Sequence, residues 1–461
     1  MPVLPPFDVT PYDTIVIGAG IVGAAIARGF AIAGAKVLIL EKAEEFLDGA
    51  SKANSAILHT GFDAPPASLE QACIAAGYAE YMDIHPRLNL PLVQSGALVI
   101  AWTPEEEALL PDLMAQAHRN GVTDVTALDQ ADLRRLEPEL GPAARAAFRV
   151  PREYLVDPWQ APYAYLLQAI AHGATVARGC EVTGGQFDGA LWTLETAKGP
   201  VRAKQVINAA GLYGDLVDKM LTGQQDFHIR PRKGQFILYD KPAAALAGHI
   251  LLPVPNKVTK GIVVCRTVFG NLLVGPTAED QDDRAHAMLV EDTLDALRQR
   301  GEEILPALKH HDITALYAGL RPASEFKDFQ IKAHEGMNYI SVGGIRSTGL
   351  SAALGIAKHV LALAQRREGQ AQHWPQVPNI SEYFERDWQR AGHGGVVCHC
   401  EMVTRREIMA ALDGPLPATT LAGLKRRTRV TMGRCQGFFC TPELARITKG
   451  RLTTPMAEDI A

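Results

Sequence analysis

A short apolar strand, Asp13-Thr14-Ile15-Val16-Ile17, runs directly into Gly18-Ala19-Gly20-Ile21-Val22-Gly23. A helical stretch from Ala24 to Ala33 follows, Gly34 stops it, and Lys36–Leu40 reads as a second buried strand ending at Glu41. This is a βαβ unit, so it demands a parallel sheet. A G-x-G-x-x-G pattern alone is weak, and a Gly-rich turn without a ligand is its plainer reading. Strand before, helix after and an acidic residue 18 positions beyond Gly23 make it a dinucleotide fingerprint. Gly18 permits the tight turn, Gly20 lets backbone approach a pyrophosphate, and Gly23 allows close helix–strand packing. The helix N-terminus faces the anion, and Glu41 accepts from a ribose hydroxyl. The pattern does not separate FAD from NAD.

A second such turn is missing, which argues against a reductase with a separate NADH domain. Val206-Ile207-Asn208-Ala209-Ala210-Gly211 reads as a strand ending in small residues far along the chain. That suits a cofactor longer than one dinucleotide turn. At 461 residues the chain is long enough for two or three domains. With 47% hydrophobic and 21% charged residues, disorder, collagen and coiled coil are excluded. The longest apolar stretch, Ile15 to Leu40, carries Arg28 and Lys36, so no membrane span is expected. No secretory leader is visible, and the expected location is cytoplasmic. A net charge of −5 gives no reason to expect nucleic acid.

Between about Pro65 and Val150 the pattern is mostly helical and charged, with a helix start at Thr103-Pro104-Glu105-Glu106-Glu107. Pro158–His172 reads as a helix, Thr175–Ala177 and Val201–Ala209 as strands, and Arg230–Gly275 as antiparallel sheet. Asn338–Gly344 is a further strand, entering a Gly-rich turn and a helix over Ala352–Ala364. The polar stretch from Arg366 to Gly395 reads as linker and docking segment.

Cys398, Cys400, Cys435 and Cys440 cluster in the last 64 residues, while the other three of seven cysteines are scattered. In a cytoplasmic chain such clustering favours metal over disulfides. Four thiolates suit Zn²⁺ or an Fe–S cluster, but C-x-C followed by C-x4-C is not the paired C-x2-C of a zinc ribbon. From Val396 onward ten Lys/Arg stand against six Asp/Glu, so a cationic tail sits on an acidic body. Its basic run Lys425-Arg426-Arg427-Thr428-Arg429 is either a solvated helix face or a set of cations that stabilises a reduced cluster.

Several segments together resemble the FAD-dependent D-amino-acid-oxidase superfamily, in its glycerol-3-phosphate dehydrogenase and L-2-hydroxyglutarate dehydrogenase branches. They are Asn54–Gly61, Asn208–Gly211, Gly275–Glu279, Gly319-Leu320-Arg321-Pro322 and Gly343–Leu350, spread over most of residues 13–365. The cysteine-bearing tail, with Met432-Gly433-x-Cys435-Gln436-Gly437-x-x-Cys440, resembles a bacterioferritin-associated-ferredoxin type [2Fe-2S] domain of the kind that ends anaerobic glycerol-3-phosphate dehydrogenases. The resemblance implies an α/β chain: a Rossmann-like FAD-binding domain, an inserted α+β substrate domain and a small helical C-terminal [2Fe-2S] domain. The expected boundaries are 1–80, 151–225 and 331–370 for FAD, and 81–150 and 226–330 for substrate. A linker over 371–395 and the cluster domain over 396–461 complete the chain.

The same resemblance implies that Lys42, Asn54, Ser55, Ala210, Gly211, Gly344, Thr348, Gly349, Leu350 and Ser351 join Gly18, Gly20, Gly23 and Glu41 around FAD, with Val182 at its adenine end. It implies Cys398, Cys400, Cys435 and Cys440 as cluster ligands. His59 lies in the flavin-flanking segment and is suited to take a hydroxyl proton near neutral pH, or else only to hydrogen-bond cofactor or backbone. Arg321 matches an arginine that clamps the substrate anion, Arg346 is a second candidate, and Arg232 and Lys233 are weaker ones. The implied activity is oxidation of a small anionic hydroxy compound, foremost sn-glycerol 3-phosphate, with electrons passing from FAD through the cluster to an external acceptor. Alternatives are a 2-hydroxy acid such as L-2-hydroxyglutarate, an amine or imino acid, or an FAD/[2Fe-2S] electron-transfer protein without its own substrate. Only 21 residues follow Cys440, leaving little for membrane contact. A partner subunit leading to quinone, with peripheral association at the inner face of the membrane, is therefore expected.

Overall fold

The computed structural model describes residue 7 and residues 10–255 and 261–456. The opening βαβ unit forms as its sequence requires, with β1 at Tyr12–Ile17, α1 at Ile21–Ile32 and β2 at Val37–Leu40. Both strands are almost wholly buried, which is why they read as continuous apolar runs rather than as alternation. Strand β1 lies at the centre of an eight-stranded sheet, parallel to β2 on one side and to Val201–Asn208 on the other. Thr175–Ala177 extends the parallel set beyond β2, and Tyr339–Gly343 extends it beyond Val201–Asn208. The antiparallel hairpin Val182–Phe187/Trp192–Thr196 packs at the edge.

A second, nine-stranded sheet carries the middle of the chain. Its spine is Ile229–Tyr239, antiparallel to Ile313–Ser324 from Ile229↔Ser324 to Tyr239↔Ile313. Residues 65–150 depart from the helical expectation. Helices Leu69–Ile84, Pro104–Arg119 and Gln130–Leu136 are there, but Ala97–Ala101 and Ala146–Val150 are buried strands of this second sheet. Ala97-Leu98-Val99-Ile100-Ala101 is an apolar run buried on both faces, and such a run carries no period to distinguish strand from helix. Thr103 caps the helix at Pro104 by accepting from the Glu106 N–H at 3.2 Å.

The stretch 371–395 is laid across the body as a strap. Trp374 lies under the Arg87 guanidinium, Val377 exchanges backbone and side-chain bonds with Leu88 and Asn89, and Ile380 is buried. Beyond it a small lobe holds the hairpin Val396–Cys398/Val403–Thr404 and three helices, Arg405–Asp413, Leu421–Thr428 and Thr441–Thr448. Thr404 and Glu407 close a reciprocal capping box at the first of these. Val403, Ile408, Leu424, Val430 and Leu444 form the lobe's own core, with Cys398 and Cys440 inside it. Among the described residues no helix is long and apolar enough to cross a membrane.

Candidate active site and cluster site

The turn after β1 is built to exclude side chains. A Cβ on Gly23 would stand 1.9 Å from the Gly18 carbonyl oxygen, and one on Gly18 would stand 2.6 Å from that of Ala209. Helix α1 starts at Gly20 with no cap from the Gly20 side and no acidic residue in its first turn, so its first-turn N–H groups beyond that of Ile21 are left for an anion. Ser51, which no sequence motif marks, accepts the Ile21 N–H at 3.0 Å beside this terminus. Glu41 accepts from the N–H of Ala19 at 2.8 Å and of Ala43 at 2.9 Å, and burial nevertheless pushes its carboxyl above the ordinary range. The Glu41 carbonyl takes the Cys180 N–H at 2.8 Å, which brings the segment leading into buried Val182 against the end of β2.

Ala210 and Gly211, distant in sequence, close over the same turn: the Ala209 N–H reaches the Ile17 carbonyl at 2.9 Å and Ala210 leads into a 3₁₀ turn. The Lys42 ammonium sits 3.3 Å above the centroid of the Tyr213 ring in that turn. Thr348, Gly349, Leu350 and Ser351 form the start of a fifteen-residue helix, Gly349–Leu363, again without a side-chain cap. The Thr348 hydroxyl donates instead to buried Glu70 at 2.7 Å. Gly344, at φ +65°, turns the chain from Tyr339–Gly343 toward that helix.

Two helix N-termini that their own N-cap residues leave uncapped, a carboxylate at the end of β2 and a Gly-only approach between them fit FAD, with its anionic pyrophosphate and ribose hydroxyls. Asn54 and Ser55 belong to the segment that crosses this region. Asn54 accepts the Ala56 N–H at 2.8 Å, its carbonyl takes the Tyr317 hydroxyl at 3.2 Å, and the Ser55 carbonyl faces the Cys265 thiol.

His59 is held from two sides. Its N–H donates to the Ser351 hydroxyl at 2.8 Å, tying it to the start of the helix Gly349–Leu363. Its Nδ1 lies 2.7 Å from Oε2 of Glu153, whose side chain is 0% exposed. The other carboxylate oxygen accepts from the Thr60 N–H at 2.6 Å and hydroxyl at 2.7 Å. Register explains the pair: Ile57↔Leu155 and Leu58↔Tyr154 run antiparallel, so the next step sets His59 opposite Glu153. Nothing in the sequence around Glu153 signals this, because the partner lies 94 positions away.

Strand Ile313–Ser324 passes so close to the flavin-flanking segment that a Cβ on Gly319 would stand 2.6 Å from that of Ala53. Two residues on, Arg321 donates to the carbonyls of Thr277 at 2.6 Å, Lys233 at 3.1 Å and Arg232 at 3.3 Å. No carboxylate among the described residues pairs with it, and burial followed by the charges of Arg232 and Arg346 brings its pKa down to about 10. Arg346 reaches only the Lys327 carbonyl, at 3.3 Å. Arg232 and Lys233 differ in kind, being paired with Asp280 at 2.7 Å and Glu279 at 3.1 Å. An arginine without a counter-ion is the one with charge left for a ligand.

In the C-terminal lobe the four clustered thiols come together as two facing pairs, Cys400 with Cys435 and Cys398 with Cys440. Backbone N–H groups of Phe439, Gly437 and Phe438 lower the Cys435 thiol, whereas burial and the charge of Cys398 push Cys440 up to about 12. Among the described residues no three His, Cys, Asp or Glu side chains converge on one ion. The two thiol pairs, Cys400 with Cys435 and Cys398 with Cys440, would hold a [2Fe-2S] cluster, which would supply a one-electron relay. Cys73, Cys180 and Cys265 are buried elsewhere.

The basic run neither faces solvent nor serves the cluster alone, contrary to a plain solvated helix face. Arg426, Arg427 and Arg429 are buried against the flavin-binding body. Arg427 pairs with buried Glu45 at 3.0 Å over the ring of Phe46, and Arg426 reaches Asp48 at 3.5 Å. Arg429 pairs with Glu401 at 2.8 Å, one residue from Cys400, and lies over the Phe269 ring. Phe269 stacks on Trp159, whose indole N–H donates to the Lys52 carbonyl at 3.0 Å. A set of contacts thus runs from the Lys52 carbonyl, two residues before Asn54, to Glu401, the residue after Cys400.

Residues 13–363 match the family of FAD-dependent oxidoreductases, and residues 396–449 match the BFD-like [2Fe-2S] binding domain. The chain therefore belongs to the FAD-dependent oxidoreductase family and is a flavoenzyme with a C-terminal [2Fe-2S] domain. Among curated proteins it is 30% identical to a glycerol 3-phosphate dehydrogenase of Caloramator mitchellensis, covering 97% of this chain and 96% of that one. It is 25% identical to one subunit of the anaerobic glycerol-3-phosphate dehydrogenase of Escherichia coli K12, over 97% and 90%. The solved structure of dithionite-reduced L-α-glycerophosphate oxidase from Mycoplasma pneumoniae, with FAD bound, superposes with a TM-score of 0.75 at 26% identity. That match covers 81% of this chain and 100% of the other.

Proposed function

We propose that this chain oxidises the secondary hydroxyl of sn-glycerol 3-phosphate to the ketone and delivers the two electrons, one at a time, to an external acceptor. FAD supplies the hydride acceptor and the [2Fe-2S] centre the one-electron relay. His59 takes the hydroxyl proton at Nε2 as the carbon–hydrogen bond breaks, and Glu153 fixes the ring by accepting from Nδ1–H. Arg321, fixed by three carbonyls, presents the rest of its planar fork to the phosphate, with Arg346 as the second cation. The glycine and helix-terminus residues from Gly18 to Ser351 hold FAD, and the two thiol pairs hold the cluster. The flavin-binding unit is drawn from 1–80, 151–225 and 331–370, and the substrate unit from 81–150 and 226–330.

The observation that carries this reading is the His59–Glu153 pair, a buried carboxylate orienting a partly exposed imidazole beside the flavin-flanking segment. The names of the relatives matched over nearly their whole length support the substrate. The E. coli relative is named as one subunit of an enzyme, which supports a partner subunit for this chain. Anaerobic titration tests the reading directly. sn-Glycerol 3-phosphate bleaches the flavin and then the cluster, whereas L-2-hydroxyglutarate and amino or imino acids do not. Bleaching by L-2-hydroxyglutarate alone would transfer the assignment to a 2-hydroxy acid, since Arg321 suits a carboxylate equally well.

A further inference from the structure

The loop between Cys435 and Cys440 carries the two most exposed large aromatic side chains of the described residues, Phe438 at 79% and Phe439 at 74%. The rings pack on each other edge to face, with centroids 5.2 Å apart, rather than into the lobe core. Holding adjacent aromatic rings in water forgoes the stabilisation that burying them would give. Cys435 and Cys440 flank the pair in sequence, so a partner seated on the rings is near two cluster ligands.

Charge and shape indicate the partner. On the outer surface of the lobe, Arg405 and Arg446 share the single carboxylate of Glu443, leaving one positive charge over. Phe439, Arg405, Glu443 and His399 line a groove of about 720 Å³ together with Gly394–Val397. Other parts of the lobe are committed to the flavin-binding body, through Arg426, Arg427 and Arg429 and through Arg434 and Gln436, which reach Asp240 and the Thr314 carbonyl. A groove admits side chains, whereas a bilayer meets only projecting surface.

Resting on the reading that the lobe relays electrons outward, we propose that Phe438 and Phe439, with the groove and the excess arginine charge on its rim, form the docking face for an acidic one-electron carrier protein. One electron passes from the reduced cluster to the oxidised carrier, with no proton moved. The rings give apolar contact at the centre of the interface, and the arginines steer the approach.

The test uses the full-length holoenzyme, photoreduced so that it needs no substrate, and follows haem reduction in an acidic b-type and a basic c-type cytochrome. The acidic cytochrome is expected to react at least about tenfold faster at low ionic strength. That advantage shrinks as ionic strength rises from about 0.02 to about 0.2 M. The double variant F438S/F439S and the separate variant R446E each lower the rate with the acidic cytochrome about tenfold. Reduction of a small dye and the iron and sulfide content stay at wild-type levels. Equal rates for the two cytochromes, or wild-type rates in both variants, would overturn the proposal. So would loss of binding to phosphatidylglycerol vesicles in F438S/F439S with cytochrome reduction intact, which assigns the rings to a membrane. Failure of sn-glycerol 3-phosphate to bleach the enzyme while photoreduced protein still feeds the acidic cytochrome would count against the proposed substrate and support the docking face.

Discussion

The turn at Gly18–Gly23 and the lobe around Cys398–Cys440 are each built for a cofactor, by opposite means. In the turn, six contiguous residues do the work, and what matters is missing side chains. Backbone passes within 1.9 and 2.6 Å of where a Cβ would be, and the helix N-terminus behind it gets no cap from Gly20. In the lobe, side chains do the work, and they come from both ends of a 34-residue interval. Their position against the body depends on buried polar contacts, the Arg427–Glu45 ion pair and the Arg429 hydrogen bond to Asn271, while Arg429–Glu401 braces the lobe from within. A local backbone device tolerates change elsewhere and no change within. A device assembled over distance is exposed to any substitution that leaves one buried charge alone.

The largest test of that contrast sets Gly23→Val against Cys440→Ser. The first puts methyls into the Gly18 carbonyl, and purified protein should lack the yellow flavin while keeping iron and sulfide. The second should lose iron and sulfide while flavin stays bound and is still bleached by substrate. Absorbance spectra with iron and sulfide assays read both, and loss of both cofactors in either variant would erase the distinction. Next in size is Arg429→Met, which leaves Glu401 buried without its closest partner. About 3–5 kcal/mol of stability should go, and calorimetry should show the lobe melting before the body.

Within the body, Glu153→Gln removes the charge behind His59 and leaves a single acceptor oxygen, which the Thr60 N–H and hydroxyl claim, so that an amide NH2 faces Nδ1. We expect kcat to fall on the order of 10²-fold with KM and flavin content close to wild type. A parallel rise in KM would mean that Glu153 shapes the pocket rather than the base.

The smallest effect belongs to the seam between the two regions. Asp157 is buried where body and lobe meet, near Arg429, and burial raises its pKa from 3.8 to about 6. A carboxyl that holds its proton more tightly when folded destabilises the fold above that value. The cost is present at pH 7 and above, and it fades as pH falls from about 6 toward 4. At about 1.4 kcal/mol per pH unit the ceiling is about 3 kcal/mol. Asp157→Asn keeps an acceptor for the Trp159 and Gln160 N–H groups. Its melting temperature should exceed wild type by a few degrees at pH 8, and the two should converge near pH 4.

Much of this was legible from local chemistry. The βαβ turn was, because strand, glycines and helix are neighbours and each constrains the next. The [2Fe-2S] domain in the tail was, because cysteine clustering in the last 64 residues has few other uses. Less legible was the long strand Ile313–Ser324, of which only Gly319–Pro322 stood out as a motif, and the strand Ala97–Ala101, which lacks a period. The basic run hides its role for a related reason. Five residues rich in arginine look solvated until Glu45, Asp48 and Glu401 are brought to them from up to 382 positions away.

Composition and short-range pattern determined that this chain would carry a dinucleotide turn on a parallel sheet and a four-thiol site in its tail. Such features are set by what neighbouring residues allow the backbone to do. Tertiary structure decided that His59 has a carboxylate behind it, that Arg321 is left without a counter-ion, and which residues of the tail face the body. Those depend on strand register and on charges meeting across the fold, and a one-residue slip between Ile57–Leu58 and Tyr154–Leu155 would have separated His59 from Glu153.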